Sequence, residues 1–145
     1  PKPKIKDQDI VEITKSAVQI FKNANLKIKT TKKKIIWPID RTQWIRVLTN
    51  LIQNAIQAVP ENRTPKIYLQ ISLENNKLKM NLEDNGTGIV KRDQLKIFEP
   101  KFTTKSAGMG LGLAIVKNII DSLNGTINFK SEPNKGTKFS ITLKK

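Results

Sequence analysis

A two-layer α/β sandwich, with a mixed sheet of about five strands packed on three helices, is the fold class this sequence predicts. Three segments repeat apolar residues at helical spacing, and several shorter ones alternate apolar with polar residues between turn signals. The 145 residues, 37% of them hydrophobic, suffice for one core, and neither a second domain nor a repeat array is indicated.

Residues 9–23 place Ile10, Ile13, Ala17, Ile20 and Phe21 at near-helical spacing behind Asp9, a good N-cap, and make a first amphipathic helix. Residues 26–31 alternate Leu26, Ile28 and Thr30 with lysines, and residues 34–39 form an apolar run through Pro38. These two read as an edge hairpin or as two short strands. Asp40 with Gln43 three residues later has the form of a capping box. The helix behind it carries Trp44, Val47, Leu48, Leu51, Ile52, Ala55 and Ile56 on a core-facing stripe, with Asn50, Asn54 and Gln57 on a polar line beside it. Pro60 stops that helix.

Residues 66–74 and 77–84 alternate around Asn75-Asn76, a hairpin signal, so the second strand ends on Asp84. Residues 89–107 lack sustained periodicity but contain Phe98, Pro100, Phe102 and Lys105, which points to a long functional loop with short helical pieces. Helical spacing returns over 111–123 through Ile115, Val116, Ile119, Ile120 and Leu123, with Gly125 placed for a left-handed cap. Residues 126–131 and 137–143 then read as closing strands around the turn Pro133-Asn134-Lys135-Gly136.

Composition removes several classes of chemistry. The chain has no Cys and no His, so disulfides, thiolate catalysis, Ser-His-Asp triads, imidazole bases and His-ligated zinc are excluded. No apolar run approaches the roughly 20 residues of a membrane helix, and the start does not read as a signal peptide. A formal net charge of +15 attracts polyanions. The lysines are nevertheless spread along the whole chain, and the aromatics sit in apolar or motif stretches rather than among basic residues. Nucleic acid is therefore not the expected partner.

Three short runs carry the chemistry. Asn50 and Asn54, one helical turn apart, turn two amides to one side and suit a hydrated Mg²⁺, which takes oxygen ligands. In Asp84-Asn85-Gly86-Thr87-Gly88 an acidic glycine turn can accept the exocyclic amine of a base. Gly108-Met109-Gly110-Leu111-Gly112 offers backbone N–H groups to phosphates at a helix start. Singly, these are a solvated helix face, a turn aspartate and a glycine turn. In this order they describe a nucleotide pocket, because the ordinary readings do not predict one another.

Over nearly its whole length the chain resembles the Bergerat-fold ATPases of gyrase, heat-shock chaperones, mismatch-repair proteins and sensor histidine kinases. Asn50-Leu-Ile-Gln-Asn54-Ala is similar to their N box, and the two glycine runs to their glycine boxes. Gly136-Thr137-Lys-Phe139 is similar to the closing glycine-threonine motif. Phe98-Glu-Pro-Lys-Phe102-Thr-Thr-Lys105 resembles the F box, the most discriminating piece, which marks the catalytic and ATP-binding domain of sensor histidine kinases, especially the nitrogen-regulation type.

The resemblance implies ATP and Mg²⁺ as cofactors. It makes Asn54 the metal ligand and sets Asn50 toward the phosphates, with Gln57 further along the same face. Asp84 would hold the adenine amine, helped by Thr137 through a water, and Gly86, Gly88 and Ile89 would lie against the base. Gly108, Met109, Gly110, Leu111, Gly112 and Leu113 would shape the end of a lid, spanning about 89–110, over the phosphates. Lys105 would place a charge on the γ-phosphate, and Asn50 and Lys105 form the implied catalytic set. Phe98 and Phe102 would pack the lid or meet a partner domain. Many relatives carry Lys at Gln57, Tyr at Ala58 and an aromatic at Lys101.

Gyrase-type and chaperone-type members place a Glu where Asn50 stands, and an amide cannot take a proton from attacking water. A histidine nucleophile, with an unperturbed pKa of ~6.5, needs less help from a base. With no His in this chain, the acceptor would sit on a separate dimerisation domain of the same protein. The phosphoryl group would pass on to an aspartate in the receiver domain of a response regulator. Residues 1–8 then read as a linker from that domain and 9–145 as the catalytic domain. The full-length protein would be a homodimer, this domain cytoplasmic, and the parent of a kind that can be anchored in the inner membrane. A protein-serine kinase of the anti-sigma-factor type and a catalytically degenerate nucleotide-binding module stay open as alternatives.

Overall fold

Alternation with period two gives each long strand one apolar face, and those faces must share a core. The computed structural model describes residues 2–22, 24–100 and 112–145. In chain order it contains β1 (Lys6–Asp9), α1 (Ile10–Val18), β2 (Leu26–Thr30), β3 (Ile36–Ile39), α2 (Arg41–Ala58), β4 (Ile67–Glu74), β5 (Lys77–Asp84), α3 (Gly112–Ser122), β6 (Thr126–Glu132) and β7 (Gly136–Lys144). Short 3₁₀ turns lie at Gln19–Phe21 and Lys91–Asp93.

Five strands form one mixed sheet in the order β2-β4-β5-β7-β6, with β2 parallel to β4 and the other pairs antiparallel. Leu69, Ile71, Leu78, Met80, Leu82, Phe139, Ile141 and Leu143 point inward from it. They join one core with Ile10, Ile13 and Ala17 of α1, the stripe from Trp44 to Ala55 of α2, and Val116, Ile119 and Ile120 of α3. The expected sandwich of sheet on three helices is therefore the observed one.

The two candidate strands before α2 do not form a hairpin. β2 joins the main sheet, whereas β3 pairs antiparallel with β1, Lys6 opposite Ile39 and Asp9 opposite Ile36. The stretch read as a linker over 1–8 thus supplies most of β1. Lys6-Asp7-Gln8-Asp9 has no apolar alternation to announce a strand, and its pairing runs through the backbone.

The starts of α1 and α2 are capped. Asp9 Oδ1 accepts from the N–H groups of Val11 at 3.1 Å and Ile35 at 3.2 Å. Asp40 accepts from Gln43 N–H at 3.0 Å and from Lys4 N–H at 2.7 Å. Those donors, Lys4 first and then Gln43, hold the Asp40 carboxyl below its ordinary value of 3.8. The capping box is half made, because Gln43 Oε1 is buried without a hydrogen-bond partner.

Asn75 and Asn76, at φ 52° and 62°, supply the two left-handed positions of a tight hairpin turn between β4 and β5. At the end of α3 the left-handed residue is Asn124 at φ 56°, not Gly125. Gly125 N–H donates to the Ile120 carbonyl at 2.9 Å, and a Cβ there would lie 2.8 Å from the Thr142 carbonyl oxygen. Close packing against β7, rather than backbone handedness, calls for that glycine.

Candidate functional site

β5 ends on Asp84, and the register that sets Glu83 opposite Lys138 brings Thr137 beside it. Both residues are buried, at 8% and 6% exposure, although both are polar. Asp84 Oδ1 accepts from Gly86 N–H at 2.8 Å and from Thr137 N–H at 3.3 Å. Two backbone donors thus orient a buried carboxylate at the end of the sheet, the kind of polar group an apolar core tolerates only when it is hydrogen-bonded.

The turn after Asp84 is clamped on three sides. From the loop after α2, Arg63 Nη1 donates to the carbonyls of Asn85 at 2.6 Å and Gly86 at 3.2 Å. Asn85 donates through Nδ2 to the Thr64 carbonyl at 2.9 Å and accepts Lys66 N–H at 2.8 Å. Thr87 N–H donates to the Ala58 carbonyl at 2.9 Å, and Asn134 N–H to the Thr87 carbonyl at 2.7 Å. A Cβ on Gly86 would lie 2.6 Å from the Ala58 carbonyl oxygen. Gly88, at φ +74°, would run into the Glu132 carbonyl. The two glycines assigned from sequence to the base are required by the protein's own backbone.

Ile89 follows the turn, partly buried against the core, and its N–H donates to Ser131 Oγ at 2.7 Å. Ser131 Oγ also lies 2.8 Å from Thr137 Oγ1. Asp84, Ser131, Glu132, Gly136 and Thr137 line one open cavity of about 520 Å³, together with Glu83 and the lysines at 130, 135 and 138. A cavity of about 470 Å³ lies at the far end of the fold, where Leu123, Asn124 and Lys144 meet Pro3, Ile5 and Pro38.

Asn50 and Asn54 are half-buried on α2, and Gln57 is exposed. Gly112, the first residue of α3, sits against Asn50: a Cβ there would lie 3.5 Å from Asn50 Oδ1. The amide face and the helix start expected at the phosphates are thus neighbours. Leu113 is partly buried against the core. Lys105, Gly108, Met109, Gly110 and Leu111 lie outside the described residues, as do Lys101 and Phe102.

The first part of the segment read as a lid is anchored. Ile97 is 4% exposed, and the Phe98 ring meets Phe129 and Phe139 edge-on at centroid distances of 5.9 and 6.4 Å. Phe98 therefore packs on β6 and β7. Among the described residues no helix is long and apolar enough to cross a membrane. Nor do three or more His, Cys, Asp or Glu side chains among them gather to hold a metal. The half-buried amides of Asn50 and Asn54 fit Mg²⁺ by donor type, because this cation takes oxygen ligands, keeps most of its waters and binds substrate phosphates alongside few protein ligands.

Residues 39–145 match the family of histidine kinase-, DNA gyrase B- and HSP90-like ATPases. The chain belongs to that family. ATP is the nucleotide that the family description names. The sensor protein TdiS of Thauera aromatica is 38% identical over 110 residues, which is 73% of this chain and 20% of that protein. Sporulation kinase A of Bacillus subtilis is 38% identical over 106 residues, 73% of this chain and 17% of that protein. The chain thus spans about a fifth of the length of these curated relatives. The nucleotide-free catalytic domain of histidine kinase ThkA superposes with a TM-score of 0.87 at 30% identity, covering 98% of this chain and 96% of that one.

Arg63 and Ser131 escaped the sequence reading of this candidate site, and Ala58 stands out in it only as a departure from the Tyr of many relatives, not for its carbonyl contact with the turn. A loop arginine reads as a solvated charge, an alanine at a helix end as a default residue, and a serine near a strand end as surface. Each acts on a partner at least 22 positions away or at a turn whose closure is tertiary.

Proposed function

We propose that the chain is the ATP-binding catalytic domain of a two-component sensor histidine kinase. It binds Mg·ATP and passes the γ-phosphoryl group to a histidine on a separate dimerisation domain of the same protein. The receiver domain of a response regulator then takes that group on an aspartate. The observation that carries the reading is the buried Asp84 carboxylate beside Thr137 at the sheet end, in a chain whose α2 meets the start of α3 at an amide, Asn50, instead of a carboxylate.

Each residue has a task in that reading. Asp84 accepts the adenine amine, and Thr137 serves the neighbouring edge of the ring. Asn50 and the N–H groups at the start of α3 face the phosphates, where a helix N-terminus favours negative charge. Lys105, by the family resemblance, would supply a positive charge to the γ-phosphate. Asn54 would hold Mg²⁺, which supplies positive charge to the phosphate oxygens. The acceptor's neutral ring nitrogen attacks the γ-phosphorus, the bond from that phosphorus to the bridging oxygen breaks, and ADP leaves. No base is required of this chain, which is consistent with the amide at position 50, and hydrolysis by water is slow for the same reason.

Titration calorimetry with ATP and ADP, each with and without Mg²⁺, tests the pocket, and γ-labelled ATP mixed with a histidine-bearing dimerisation domain tests the transfer. Mg²⁺-sensitive binding and an acid-labile label on that domain are the expected results. Binding without transfer would make the chain a nucleotide-binding module, and an acid-stable label would point to a serine acceptor.

A further inference from the structure

Ser131 stands on the inward face of β6, directly opposite Thr137 of β7 in the sheet register. Among the described residues its hydroxyl has three neighbours: Ile89 N–H at 2.7 Å, Thr137 Oγ1 at 2.8 Å and the Gly136 carbonyl oxygen at 3.2 Å. A serine hydroxyl brings one hydrogen and two acceptor positions. Ile89 N–H takes one acceptor position, so two arrangements remain. Ser131 can donate to Gly136 and receive the Thr137 hydrogen, which leaves Thr137 only as an acceptor toward the cavity. Alternatively Ser131 donates to Thr137, whose own hydrogen is then released toward the cavity that both residues line with Asp84.

Adenine presents a ring-nitrogen acceptor next to its amine, so the second arrangement suits it. We infer that Ser131 is a positioning residue of the base pocket: its hydroxyl sets whether Thr137 offers a donor or an acceptor to the nucleotide base. Through Ile89 N–H it also joins that setting to the first residue after the glycine turn. The inference rests on reading Asp84 and Thr137 as the adenine site.

Calorimetric ATP titrations of the parent, Ser131→Ala, Ser131→Thr, Thr137→Val, the double variant Ser131→Ala/Thr137→Val and Asp84→Asn test it. Ser131→Ala should weaken ATP about tenfold, and Ser131→Thr, which keeps the hydroxyl, should restore it to within about twofold. Thr137→Val added to Ser131→Ala should cost no more than about a further twofold, the non-additivity expected when one side chain acts through another. Ser131→Cys, close in shape but a weak donor, should weaken ATP as Ser131→Ala does and replaces it if that variant does not fold. Parent-like ATP affinity in Ser131→Ala or Ser131→Cys, failure of Ser131→Thr to restore binding, or full additivity in the double variant would overturn the role. If Asp84→Asn weakens ATP while the Ser131 variants do not, this inference alone fails. If Asp84→Asn also binds like the parent, the adenine reading fails with it.

Discussion

Arg63 donates from its guanidinium to the Asn85 backbone carbonyl at 2.6 Å, joining the loop after α2 to the turn that presents Asp84. The same Nη1 reaches the Gly86 carbonyl at 3.2 Å. Arg63→Ala should lower stability by about 1.5–3 kcal/mol, the range for a hydrogen bond to a charged group, and weaken ATP as the turn loosens. Arg63→Lys keeps the charge without the fork and should recover only part of either loss. Urea denaturation and calorimetry measure the two effects.

Asp84→Asn keeps one acceptor oxygen for the Gly86 and Thr137 N–H groups and puts an amide nitrogen, which cannot accept the adenine amine, in place of the second carboxylate oxygen. ATP affinity should fall about tenfold or more. Asn54→Ala should instead bring the affinities measured with and without Mg²⁺ together, leaving the metal-free value near that of the parent. Equal Mg·ATP affinity in the parent and both variants would remove the pocket from these residues.

Gly86→Ala puts a methyl 2.6 Å from the Ala58 carbonyl oxygen and 2.7 Å from the Ala58 Cβ. Overpacking against backbone should destabilise the domain by about 1–3 kcal/mol. Adding Ala58→Gly removes the Cβ contact but not the carbonyl contact, so a denaturation curve for the double variant should show partial recovery.

Asp40 has its carboxyl held below 3.8 by the N–H groups of Lys4 and Gln43. A lowered folded value means that the charged cap stabilises fully above the unfolded value and loses this as pH falls through the folded one. Asp40→Asn keeps an acceptor oxygen and removes the charge. The melting-temperature gap between parent and Asp40→Asn should therefore be constant above about pH 5 and close as the acid limb passes below 3.8.

The helices and the central hairpin were legible because burial imposes a period on the sequence. Trp44, Val47, Leu48, Leu51 and Ile52 mark one side of α2, and Leu78, Met80 and Leu82 mark one face of β5 that leads to Asp84. Periodicity says which face turns inward and nothing about which strand lies alongside. That is why the hairpin alternative before α2 gave way to β2 beside β4 and β3 beside β1. β1 itself carries no apolar pattern, since its pairing is made by backbone groups that every residue shares.

The amino-acid sequence by itself determined the layered fold, the strand that ends on Asp84 and the family, because side-chain period and motif order are local and linear properties. The tertiary structure alone decided that Thr137 donates its backbone N–H directly to Asp84, that Arg63 grips the turn and that Ser131 meets both Thr137 and Ile89. Those contacts span from 6 to 53 positions and depend on strand register. A hydrogen bond is satisfied by distance and direction, and only the folded chain supplies them.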